Sequence, residues 1–312
     1  MIDRPQGHGC GGDGACPSCG YMHFSFFLVD QRRRDGGREV RRGVISRGAG
    51  RGNQLFELDD ELSALVREGL ARQKPKASSS MRAVRLAYPR NASRPVLVSC
   101  DDGREWIIKG GQLGKTPFNE QMIASLAALV AAPVPETGLV YVPPVVVRLE
   151  PQMAHFSPGL AHGSVRIDNC TEERALPYQN AENRARYAAL SLLYSWTDSA
   201  DEQVLYRQDP LPVLVYSHDH GYFLPPPGPE WTVDTLKAGK PPVKKPFFNF
   251  CGLSPGDYRE PIQRIAALQK TDIASAVCRA PAEWVVSEDE RCAVAGYLWA
   301  RIPQVIDVFG RR

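Results

Sequence analysis

The hydrophobic positions divide the chain into short, punctuated elements. Leu58, Leu62, Leu65 and Val66 share one face behind Asp59, which predicts a helix over Leu58–Gln73. Lys74-Pro75-Lys76-Ala77 and Ser78-Ser79-Ser80 then read as a linker. Pro95–Cys100 and Glu105–Lys109 read as strands joined by Asp101-Asp102-Gly103, a turn sequence that tolerates positive φ. Met122, Ile123, Leu126 and Val130 recur at three- and four-residue spacing, predicting a helix over Pro117–Ala131 that Pro133 and Pro135 stop. Leu139–Val142 and Val145–Leu149 read as strand, broken by Pro143-Pro144.

After a loop around Pro158-Gly159, a second helix is expected from Asn183 to Trp196. Val204–Arg207 is strand-like. Val213–Tyr216 and Tyr222–Leu224 suggest a hairpin around His218-Asp219-His220-Gly221. The remainder is helical in pattern. Pro261 suits a first turn, and Ala295, Leu298, Trp299, Ile302, Ile306 and Phe309 form an apolar stripe that Pro303 should kink or interrupt. Strands with one helix come first, then helices with one hairpin. That order suggests an α+β domain: a small β-rich lobe packed on a larger α-rich lobe, with a cleft between them.

Composition refines this picture. With 312 residues, 43% hydrophobic, the chain is long enough for a core and about two domains' worth of sequence. Three zones emerge: a Gly/Cys/His-rich segment over 1–24, an Arg-rich segment with one helix over 25–80, and a compact domain over 81–312. The net charge of +3 excludes a polycation as a whole. Residues Arg32–Arg51 are locally basic, so they would attract nucleic acid or an acidic partner, or form a solvated arm. The first twenty residues lack the apolar core of an export signal, and Phe24–Val29 is too short to span a membrane. The eight cysteines therefore point to a reducing, cytoplasmic setting, with thiols or a metal site rather than disulfides.

Phosphoryl transfer needs cations on the phosphates, carboxylates for Mg²⁺, and a carboxylate that orients the attacking hydroxyl. Lys109, at a strand end, can reach phosphates across a cleft. Glu120, in the first turn of the next helix, can pair with it, or each can be an ordinary surface residue. The loop Trp196–Gln203 carries Asp198 and Asp201, either as catalytic groups or as helix-terminating polar residues. Asp219 follows an apolar strand with Gly221 two residues on, a way to present a carboxylate to a metal and also a common turn. His218 and His220 give a weaker zinc reading.

Taken together, these residues resemble the HipA-like kinases of bacteria. The similar segments are Asp102–Lys109, Asn119-Glu120, Pro133–Glu136, Pro158–Ser164, Trp196–Gln203, Ser217–Tyr222, Gly228–Trp231 and Ala282–Trp284, spanning about 82–310. The resemblance implies a two-lobed protein-kinase-like fold preceded by a separate N-terminal segment. It also implies ATP with Mg²⁺ as cofactors and transfer to a protein or small-molecule hydroxyl. Lys109 would bind the phosphates with Glu120 as its ion-pair partner, and Asp219 would hold Mg²⁺. Gly110 and Gly111 would form a phosphate-covering loop or only a connection. Kinase-like loops carry an Asp and, five residues later, a metal-binding Asn; here Asp198 has Gln203 at that offset, so Gln203 is the second metal candidate. Asp201 is preferred as the base and Asp198 is the alternative. The missing Asn leaves a catalytically impaired nucleotide-binding module as a second reading.

Cys10, Cys16, Cys19 and His23 give C-x₅-C-x₂-C-x₃-H, which reads either as a Zn²⁺ tetrahedron or as a Gly-rich leader with incidental cysteines. A third function class, nucleic-acid binding, would work through this segment and Arg32–Arg51. The acceptor of a transferred phosphate has no signature in the sequence.

Overall fold

A computed structural model describes residues 55–87, 93–173, 180–226, 228–244 and 251–311. Cys10, Cys16, Cys19, His23 and Arg32–Arg51 lie outside the described residues.

Five strands close into a barrel: β1 (Ala77–Leu86), β2 (Val96–Cys100), β3 (Glu105–Lys109), β4 (Thr137–Val142) and β5 (Gly159–Val165), in the order β1-β2-β3-β5-β4. β1 and β4 pair in parallel, and the other neighbours are antiparallel. Side chains alternate across a strand. Val96, Val98, Trp106, Ile108, Val140 and Ala161 therefore fill the barrel. Ile107 and Lys109, the alternate residues of β3, face a cleft outside it.

The larger core belongs to the helices. α1 (Asp60–Ala71) begins at Asp59, whose carboxylate accepts the Leu62 N–H at 2.9 Å. α2 (Thr116–Leu129) is buried on nearly every side, as expected of a helix wedged between two layers. α3 (Pro144–Leu149) is one short turn beside the barrel. α4 (Ala181–Trp196) carries a small antiparallel sheet ordered β6 (Cys170–Thr171), β7 (Gln203–Arg207), β8 (Leu214–His218). α5 (Val233–Lys237), α6 (Arg259–Ala266) and α7 (Lys270–Val277) surround α8 (Glu288–Gly310).

Two buried arginines fix this lobe. Arg301 donates to Trp196 O at 2.7 Å and Ser195 O at 2.6 Å, which caps the end of α4. Arg291 donates to Ala280 O at 2.8 Å and Pro281 O at 2.6 Å, which holds the turn between α7 and α8.

The two-lobed α+β arrangement agrees with the sequence pattern, with five local departures. The Ser-rich linker is the start of β1, since Ser78 Oγ donates to Asp102 and Ser79 N to Asp101 (both 2.8 Å) and the strand gains two partners. The boundary at residue 80 is therefore not one of the fold: the described residues from 55 to 311 form one compact unit, with α1 packed on α7 and α8. Val145–Leu149 is helix, because Pro144 at its first position pre-sets helical φ. The loop at Pro158-Gly159 opens β5, whose glycines hid it; a Cβ on Gly163 would sit 2.9 Å from Trp106 and 2.8 Å from Val140. β8 pairs with β7, not with Tyr222–Leu224, and Phe223 and Leu224 are buried in the helical core. α8 runs unbroken through Pro303, which is exposed on its outer face.

Candidate active site

Three elements deliver one ion cluster. β3 ends in Lys109, the first turns of α2 present Glu120, and the turn after β8 presents Asp219. The Lys109 ammonium donates to Glu120 and, at 2.6 Å, to Asp219 Oδ1. The three side chains are only 7%, 4% and 13% exposed. Burial alone would lower the Lys109 pKa, but the Glu120 and Asp219 charges outweigh it and hold it above its usual value. Burial would raise Glu120, yet Lys109 and His220 keep it well below the usual carboxylate range. The Lys109–Glu120 pair is therefore charged at neutral pH.

Supporting contacts place each member. Asp219 sits at φ +58°, a left-handed conformation that turns the chain back immediately after β8. Glu120 Oε2 accepts the His220 N–H at 3.0 Å, so the turn carrying Asp219 is bolted to α2. His220 Nε2 lies 2.9 Å from Ser217 Oγ, which accepts from Tyr194 OH at 2.5 Å. Asn119 spans the same junction: its Nδ2 donates to Gly221 O at 2.8 Å and its Oδ1 accepts from Trp231 Nε1 at 3.0 Å. These partners were missed in the sequence; Asn119, Ser217, His220 and Trp231 lie within its similar segments, but their contacts form only across the fold.

The cleft has an apolar part lined by Ile107, Val165, Ile167 and Leu205 and a polar end at Lys109, His162 and Asp219. Burial pushes His162 and His218 down to about 4, so both imidazoles are neutral at pH 7. His220 is engaged with Ser217 and Glu120, and no group of three or more His, Cys, Asp or Glu side chains suited to a metal occurs among the described residues. The zinc pair read from His218 and His220 is not formed.

The Trp196–Gln203 loop separates its two aspartates. Asp198, at φ +55°, lies within electrostatic reach of Tyr297 and Arg301 on α8. Asp201 accepts from Gln203 Nε2 at 2.7 Å, and it shares with Glu202, Glu172 and His218 a hollow beside the cleft. Gln203 is opposite His218 in the β7–β8 register, one residue from Asp219. Its amide nitrogen is used by Asp201, which leaves the amide oxygen to face other donors.

Gly110 and Gly111 are not brought to the cleft. A Cβ on Gly110 would meet Phe156 at 2.5 Å, so that glycine permits close packing, and Gly111 is exposed in a short helical turn. Cys100, Cys251, Cys278 and Cys292 are buried packing residues, and burial pushes Cys100 up to about 12 and Cys278 to about 11. No helix among the described residues is long and apolar enough to cross a membrane.

Residues 84–204 match the family model described as HipA-like kinase. The resemblance read from the sequence stands over that stretch, which holds Lys109, Glu120, Asp198, Asp201 and Gln203 but stops short of Asp219. No curated protein is matched by the chain. Similar solved structures include the Golgi casein kinase, at 9% identity and a TM-score of 0.37, covering 81% of this chain and 76% of that one. Another is the Golgi casein kinase with Mn/ADP bound, at 10% identity and 0.35, covering 80% and 77%. Both likenesses are loose.

Proposed function

We propose that the chain, a HipA-like kinase over the matched stretch, is an ATP- and Mg²⁺-dependent phosphotransferase acting on a hydroxyl acceptor. The observation that carries this reading is the Lys109 ammonium shared between Glu120 and Asp219 at one end of an apolar cleft. Ile107, Val165 and Leu205 offer faces to a flat base, while Lys109 meets the phosphates. Glu120 orients Lys109 by ion pairing, and His220 in turn orients Glu120.

The donor set suits Mg²⁺, which takes oxygen ligands from one or two protein groups and fills the rest with water and phosphate oxygens. Asp219 and the amide oxygen of Gln203 would hold it, and bound there it would neutralise phosphate charge. Asp201 orients the acceptor hydroxyl and accepts its proton; its contact with Gln203 and its place in an open hollow beside the cleft support it over Asp198. As the new P–O bond forms, the bond to the leaving diphosphate breaks and that diphosphate carries the negative charge away.

Incubation with labelled ATP and Mg²⁺, scored first for self-phosphorylation, tests this. Asp219→Asn is expected to abolish turnover while leaving the fold intact; ATP consumption indifferent to that change refutes the proposal. A second reading, nucleotide binding without transfer, is favoured by one observation: the position expected to hold a metal-binding Asn is Gln203, already engaged by Asp201. Stabilisation by ATP with no phosphate released, in the presence of candidate acceptors, selects that reading.

A further inference from the structure

Beside α2 lies a cavity of about 270 Å³. The end of α1, the start of β1, β4 and the end of α7 enclose it. Its charged lining is Lys74, Lys76 and Arg279, and it contains no Asp or Glu. Among the described residues none of these three cations has an ion-pair partner. Three unneutralised cations around one concavity repel one another, and the arrangement is stabilised by an anion that bridges them.

A second, independent feature is the floor. Gln121 is 2% exposed and lines this cavity. Its Oε1 is 3.0 Å from His162 Nδ1, whereas its Nε2 has no hydrogen-bond partner among the described residues. An oxyanion in the cavity would give that amide nitrogen a hydrogen-bond acceptor. The C-terminal carbonyls of α7, which would repel an anion, are already occupied. Gln73 Nε2 donates to Cys278 O at 2.6 Å and Ala280 O at 2.8 Å, and Arg291 Nη1 donates to Ala280 O and more distantly, at 3.4 Å, to Val277 O. Asp272 lines a second cavity that shares Arg279, and it accepts the Gln269 N–H at 2.8 Å.

We infer that this cavity binds a small phosphate-bearing molecule, with Lys74, Lys76 and Arg279 on its oxygens and the Gln121 amide as a neutral donor. The size suits a compact phosphate ester or a diphosphate, at the low end of small-molecule sites. The ligand would sit one side chain from the ion cluster, since Gln121 adjoins Glu120 and holds His162, which is opposite Lys109 in the β3–β5 register. Any regulatory consequence of that proximity rests on the phosphotransferase reading, but the site itself does not.

Inorganic pyrophosphate, titrated calorimetrically into the full chain without Mg²⁺, is the probe. Removing two charge-assisted contacts in Lys76→Ala/Arg279→Ala is expected to weaken binding by at least about tenfold. Both positions are exposed, so the melting temperature without pyrophosphate should be unchanged. Hydrogen exchange locates the ligand, with added protection expected at 73–77 and 278–280. No binding at millimolar pyrophosphate, equal affinity in the double variant, or protection confined to 107–109 and 217–221 each overturns the assignment. None of these readouts involves turnover, so failure here leaves the proposed activity standing, and the reverse also holds.

Discussion

Lowering the pH from 7 to 5 should destabilise this fold mainly through two imidazoles. Burial holds His162 and His218 near 4 in the folded chain, against about 6.5 when unfolded. Between those values the unfolded chain binds protons that the folded chain refuses. The sign follows: the stability is fully present above about 6.5 and is lost as pH falls towards 4. At pH 5 the solution is about 1.5 pH units below the unfolded value, which is worth about 2 kcal/mol per imidazole and about 4 kcal/mol for both. Carboxylates held low by the fold, Glu120 foremost, give up their contribution only below their usual range, so they leave the window from 7 to 5 to the histidines. Urea unfolding followed by tryptophan fluorescence at both pH values measures the difference. His162→Gln should roughly halve it whatever it does to stability at pH 7, because the lost contacts with Gln121 and Ser164 enter both measurements equally. A wild-type difference below about 1 kcal/mol, or full dependence retained in His162→Gln, refutes the reasoning.

Other outcomes follow from the same geometry. Asp201→Asn should lower turnover by about 10²-fold or more, as loss of a general base does, while Asp198→Asn, whose neighbours are Tyr297 and Arg301, should stay within a few-fold; single-turnover phosphate release separates them. Arg291→Met removes the side-chain donor to Val286 O and one of two donors each to Ala280 O and Pro281 O, and should cost about 1–3 kcal/mol, read as a lower urea midpoint. Gly163→Ala drives a Cβ to within 2.8 Å of Val140 and 2.9 Å of Trp106. That overpacking should cost about 1–3 kcal/mol, with a perturbed Trp106 environment in near-ultraviolet circular dichroism.

The ion cluster was legible in the sequence because each member is at a punctuation point. Lys109 ends an apolar strand, Glu120 opens a helix after Pro117, and Asp219 follows β8 ahead of Gly221. Local pattern marks such ends well. It marked β1 and β5 poorly, since serines and glycines are strand residues only where a partner strand or an indole gives them a reason. The pairing of β8 failed for a similar cause: two apolar runs beside a turn suggest each other, and nothing local says that β7 competes better. Nor could spacing divide Asp198 from Asp201, three residues apart, because what separates them is Arg301 and Tyr297 from the far end of the chain.

The same contrast explains why the cluster is stable although buried. A lone ammonium at Lys109's depth would shed its proton, and a lone carboxylate at Glu120's would take one up. Side by side, with Asp219 closing the set at 2.6 Å, each makes the other's charge affordable. One cation between two carboxylates leaves a net negative site, which by itself repels a triphosphate. Binding a nucleotide therefore requires either that Asp219 exchange Lys109 for a divalent cation or that Lys109 turn from Asp219 to the phosphate. In either case the Lys109–Asp219 contact is the one that opens, and Glu120, held by the His220 N–H at 3.0 Å, is the one that stays.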